Sequence, residues 1–112
     1  MLDLSEAIVE ARRLSALIDA GVEALRTASR EEADAEHDYR LAKARAWVTV
    51  VGELAKEREA FVDAETAEAR RLRDLAAGKR EAARQALRAR EAQLSALQSL
   101  LAASRSEMNL AR

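Results

Sequence analysis

The chain has 112 residues, 35% of them charged and 3% aromatic, with 19 Lys and Arg against 20 Asp and Glu, no Cys and no Pro. That length holds one domain at most. A near-neutral balance argues against a general polyanion binder, though not against a local basic patch, and without Cys there is no disulfide and no Cys-based zinc site.

Ala, Leu, Glu and Arg dominate, and these are strong helix formers. Much of the apolar fraction is Ala, so narrow helix-to-helix seams are expected in place of a large core. The first helix is predicted from residue 4 to about 50. Leu4, Ala7, Ala11, Leu14, Ile18, Gly21, Leu25 and Ala28 recur in steps of three and four. The pattern continues through Glu32, Ala35, Tyr39, Ala42 and Ala46, a heptad seam. Asp3 or Ser5 would cap its start, and Glu6 suits its first turn.

The stretch "RAWVTVVGELA" at 45–55 interrupts the composition. Trp47 stands in a β-branched run, Val48 to Val51, that weakens helix propensity. Gly52 would then end the helix in a left-handed conformation, giving a turn over about 51–54. Glu53, Glu57 and Glu59 would load the first turns of a second helix with acid, as the helix dipole prefers. A strand here would stand alone, with no alternating run to pair with.

The second helix is predicted from about 54 to 110. Leu87, Leu94, Leu101 and Met108 are spaced by seven, with Ala83, Leu97, Ser104 and Ala111 between them and Arg90 as the charged exception. Before them, Leu54, Phe61, Ala64, Leu72 and Leu75 have roughly helical spacing. Gly78 is a candidate bend, and Gly21 sits where it would admit a close helix.

Charge supports a reversal at Gly52 and Glu53. The block 31–38 holds five acids and no Lys or Arg. A fold there would set it opposite Arg70, Arg71 and Arg73. Leu4 would face Leu101, Ala11 would face Leu94, and Ile18 would face Leu87. The expected architecture is all-α: one domain, a long antiparallel helical hairpin of coiled-coil type. Its seam would hold Leu4, Leu14, Ile18, Leu25, Tyr39, Leu87, Leu94 and Leu101. Two helices alone bury one stripe each, so the chain is expected to form a homo-oligomer or bind a protein partner.

"DYRLAKARAWV" at 38–48, "ELAKEREA" at 53–60 and "LSALQSLLAASRSEM" at 94–108 together resemble small helical coiled-coil proteins encoded by phages and prophages of Gram-positive bacteria. The resemblance covers roughly residues 35 to 108 and implies an early-region phage protein near replication or recombination functions. It implies no catalytic residue. Members often carry Thr just after the turn Gly, where this chain has Glu53. The small secreted WXG-type proteins share the length, but Trp47 and Gly52 lie too far apart for their Trp-x-Gly turn.

Three stretches are candidate sites. Trp47, Val48, Val50, Val51, Leu54 and Phe61 gather bulky apolar side chains at the turn. If exposed, they would anchor a protein partner; the plainer reading is that they close the hairpin end or pack within an oligomer. Arg73, Arg80, Arg84 and Arg88 lie near one stripe and would contact nucleic acid phosphates. Pairing with the acidic arm is the plainer reading there, and aromatic interleaving for base stacking is missing. His37 lies among acids, but Asp34-Ala-Glu-His37 is only an imperfect half of a carboxylate-bridged metal site, so no metal or cofactor is expected.

No Gly-rich phosphate loop, Cys nucleophile or Ser–His pairing is present, so no enzyme is expected. No run approaches the ~20 apolar residues of a membrane span, and Asp3, Glu6 and Glu10 stand where a signal peptide would be apolar. The expected setting is cytoplasmic, the host cytoplasm for a phage protein, without membrane partners. The expected role is a non-enzymatic interaction or scaffold protein acting by protein–protein binding. Its rivals are a nucleic-acid-binding accessory factor in phage recombination or replication, and an inhibitor of a host protein.

Overall fold

The computed structural model describes residues 3–50, 52 and 54–110. Three helices succeed one another: α1 (Leu4–Thr49), α2 (Ala55–Glu65) and α3 (Ala67–Leu110). Among the described residues there is no strand, and no helix is long and apolar enough to cross a membrane.

Local chemistry sets the helix ends. Asp3 Oδ1 accepts from the Glu6 backbone N–H at 2.7 Å, and Glu6 Oε2 accepts from the Asp3 N–H at 3.3 Å. This reciprocal box satisfies donors that a helix start leaves open. At the far end, the Thr49 hydroxyl lies 3.2 Å from the carbonyls of both Arg45 and Ala46. The helix stops there, within the β-branched run, as expected.

The expected left-handed cap at Gly52 does not form. No described glycine has positive φ. The Gly52 carbonyl instead accepts from Arg58 Nη1 at 3.2 Å, and the Arg58 Cγ packs 3.5 Å from where a Gly52 Cβ would stand. The Thr49 hydroxyl serves the open Ala46 carbonyl at the helix end, a contact that needs no left-handed residue. Val51 and Glu53, both assigned to the turn, lie outside the described residues. α2 then starts at Ala55 after an extended Leu54, with Glu57 in its first turn.

The helical stretch after residue 54 is interrupted at Thr66, not at Gly78. Thr66 is buried, with φ −103° and ψ 4°. Its hydroxyl donates to the Val62 carbonyl at 2.7 Å, and its backbone N–H reaches the same oxygen at 3.0 Å. Such back-bonding bends helices. Arg70 Nη2 bonds Asp63 Oδ1 at 3.2 Å across the interruption. Gly78 lies inside α3, with open space where its Cβ would be.

Contacts divide the chain into two units, Met1–Leu25 with Ala83–Arg112, and Arg26–Ala82. In the first, Ala7, Leu14 and Leu97 form the core, and Ala11, Leu94 and Leu101 pack around it. Leu14 is 2% exposed. Burying one such side chain stabilises by about 1.5–3 kcal/mol. Gly21 meets Leu87: a Cβ on it would lie 3.2 Å from the Leu87 Cδ1. In the second unit, Ala28, Ala46, Val62, Thr66 and Ala76 are buried.

Candidate interaction surfaces

The α1 seam matches the predicted heptad from Ala7 to Ala46: each of those positions is buried or half-buried. Leu4 departs from it and is exposed. Leu25, Ile18 and Tyr39 are half-buried, as are Leu87, Leu94 and Leu101 on α3. Met108 and Ser104 are exposed, and Ala111 lies outside the described residues.

Between residues 54 and 80 the inward residues are not the bulkiest ones. Leu54, Phe61, Ala64, Leu72 and Leu75 are all exposed. The side chains turned inward are Val62, Thr66, Ala69, Arg73, Ala76 and Arg80. Counting from Leu87 and Ala83 toward the N-terminus in threes and fours gives this series. Tracing the bulkiest residues gives the wrong side of the helix.

Two arginines on this inward series meet α1. Arg80 Nε bonds Glu32 Oε2, and both side chains are largely withdrawn from solvent. The Arg73 guanidinium stacks over the Tyr39 ring, 4.3 Å from its centroid, with Nε 3.8 Å from Glu36 Oε2. Its Nη2 also bonds Asp74 at 3.0 Å, and that bond first, then Asp74, Glu36 and Tyr39 through space, raises the guanidinium pKa further. Of the three arginines expected opposite the acidic block, Arg73 meets it, whereas Arg70 bonds Asp63 and Arg71 bonds Glu68 nearby in sequence. Glu32 and Glu36 contact α3 one to two turns further along than a fold about Gly52 and Glu53 places them. Arg84, in the other unit, is half-buried and engaged, and Arg88 is exposed.

No family model, curated protein or solved structure matches this chain.

At the turn, Trp47 is 42% and Val48 86% exposed, with Leu54 and Phe61 exposed as well. Val50 is half-buried, and Val51 lies outside the described residues. In the first unit, Leu4, Ala7, Leu97, Leu100, Leu101 and Met108 line most of an apolar groove of about 250 Å³. His37 is exposed, and the described residues hold no group of three or more His, Asp or Glu side chains placed to hold a metal ion.

On the solvent side, ion pairs are local. Arg13 Nε bonds Glu10 at 2.9 Å, and Arg71 Nε bonds Glu68 at 3.0 Å. These bonds hold both carboxyls below the usual glutamate range. Exposed pairs of this kind contribute little to stability.

Proposed function

We propose that this chain is a non-enzymatic interaction protein, a helical hairpin that associates with itself and docks protein partners through apolar helix faces. The observation that carries this reading is the exposure of large apolar side chains beside seams too thin to cover them. Trp47, Val48, Leu54, Phe61, Leu72 and Leu75 are exposed in the second unit, and Leu4, Ile8, Val9, Leu100 and Met108 in the first. Scattered exposed aliphatics are ordinary, but grouped ones favour docking. Within the first unit the early part of α1 meets the late part of α3, and within the second the later part of α1 meets the early part of α3, which supports the hairpin.

A phage or prophage setting belongs to the same proposal and rests on the resemblance of 38–48, 53–60 and 94–108. The basic stripe gives nucleic acid less support, because Arg73 and Arg80 already face the carboxylates and ring of α1.

Light scattering coupled to size exclusion tests the reading. The expected mass is at least twice the 12.3 kDa of one chain. A single-chain mass at every concentration overturns self-association. Retention of duplex DNA at low salt, lost steeply as salt rises, would replace this reading with the nucleic-acid one.

A further inference from the structure

A flank of α1 in the second unit, beside its seam, carries a stripe that the chain's own packing leaves open. Asp34, Asp38, Leu41, Arg45 and Val48 succeed one another in steps of four and three, which keeps them on one side of a helix. The inward seam runs instead through Ala35, Tyr39, Ala42 and Ala46, just over a quarter of a turn away. All five stripe residues are exposed, Leu41 to 39%. Among the described residues, the side chains of Asp34, Asp38 and Arg45 enter no ion pair or hydrogen bond. Together with these two carboxylates, Glu31, Ala35, Ala69 and Leu72 line a shallow groove of about 270 Å³.

The order of charge along the stripe selects the occupant. Both acids lie toward the N-terminal end, the base lies toward the C-terminal end, and Leu41 stands between them. An isologous interface needs a patch that complements itself. We propose that a second copy of this chain docks antiparallel on this stripe, with Leu41 against Leu41 near the two-fold axis.

That arrangement sets each Arg45 between Asp34 and Asp38 of the other copy. It also carries Val48 toward the groove of Ala35, Ala69 and Leu72. A parallel arrangement would face acid with acid and base with base, and is disfavoured by repulsion. The stripe from Asp34 to Val48 spans ~21 Å at 1.5 Å per residue. So short an overlap falls below the roughly 800 Å² per partner of a standard interface, so the dimer is concentration-dependent. The inference rests on the proposed self-association and names its surface.

The test uses two variants of the full chain, Arg45→Glu and the double change Asp34→Arg with Asp38→Arg, in sedimentation over a concentration series. Wild type should dimerise. Each variant alone should stay at single-chain mass, because its stripe now carries one sign. An equimolar mixture should recover the dimer, since an all-acid stripe then meets an all-base one. Circular dichroism checks that helix content is kept. If a charge variant loses helix, Leu41→Lys provides the same comparison by placing two ammonium groups at the axis: loss of the dimer supports the interface. Variants that retain the wild-type mass, Leu41→Lys included, or a mixture that stays at single-chain mass, overturn this surface while leaving self-association standing. A wild type that never exceeds one chain overturns both.

Discussion

The two units close their helix pairs with different chemistry. The first relies on aliphatic contacts: Leu14 and Ala7 against Leu97, and Leu87 over Gly21. The second places charge and a hydroxyl at seam positions: Glu32 with Arg80, Tyr39 under Arg73, and buried Thr66. An aliphatic seam gives stability but tolerates sliding, since one Leu packs much like the next. A charged seam gives less net stability, because desolvation offsets attraction. Its strength is that any slip separates the partners, which fixes register as a buried polar residue does in a coiled coil.

The largest expected effect is in the aliphatic seam. Leu14→Ala should lower stability by about 2–5 kcal/mol, the usual range for a buried Leu. Urea unfolding monitored by circular dichroism measures it. A loss of a few tenths would show that the first unit does not depend on this core.

The polar seam should respond by about 1–2 kcal/mol when either Glu32 or Arg80 is replaced by Ala, between the values for exposed and buried pairs. Exchanging the two charges in one chain should recover most of that loss in a double-mutant cycle. Additive losses would mean the pair does not lock register. Replacing both by Leu should keep or raise stability while loosening register, read as broadened distances between spin labels at Arg26 and Lys79.

The glycines sharpen the contrast at smaller scale. Gly78→Ala meets open space in α3 and should stabilise by about 0.5–1 kcal/mol, the helix preference of Ala over Gly. Gly21→Ala brings the same preference against Leu87 at 3.2 Å, so its gain should be smaller or negative. Equal gains would show that Leu87 yields freely.

The smallest effect is in pH. Arg13 holds the Glu10 carboxyl, and Arg71 the Glu68 carboxyl, below the ordinary value of 4.5. The folded chain therefore favours the anion more than the unfolded chain does. The stabilisation is complete above the ordinary value and is lost as pH falls through the lowered one. Glu10→Gln with Glu68→Gln should flatten the acid side of the stability profile; an unchanged slope would show that these exposed pairs have no such linkage.

Much of the fold was legible in residue spacing. The α1 heptad from Ala7 to Ala46 is carried by regular small and apolar residues, and burial tracks it. A cap at Asp3 or Ser5 and the close approach at Gly21 were legible for the same local reason, and the structure places the cap at Asp3. The region from 54 to 80 was not, because its inward positions are Thr66, Arg73 and Arg80 while its leucines face out. Hydrophobicity misleads where a seam is closed by pairing. Thr66 carries no such signal, because Thr interrupts a helix only where its hydroxyl turns back on the preceding carbonyl, which composition does not reveal.

The sequence by itself determined that the chain is helical, where α1 begins and ends, and which side of α1 faces inward. Those properties arise from propensity, capping and periodicity within a few turns of each residue. Tertiary structure decided which acids meet which arginines, which side of α2 and early α3 is buried, and that Thr66 rather than Gly78 interrupts the helical stretch after residue 54. Those outcomes depend on contacts between residues far apart in the chain, where the exact pairing sets the energy.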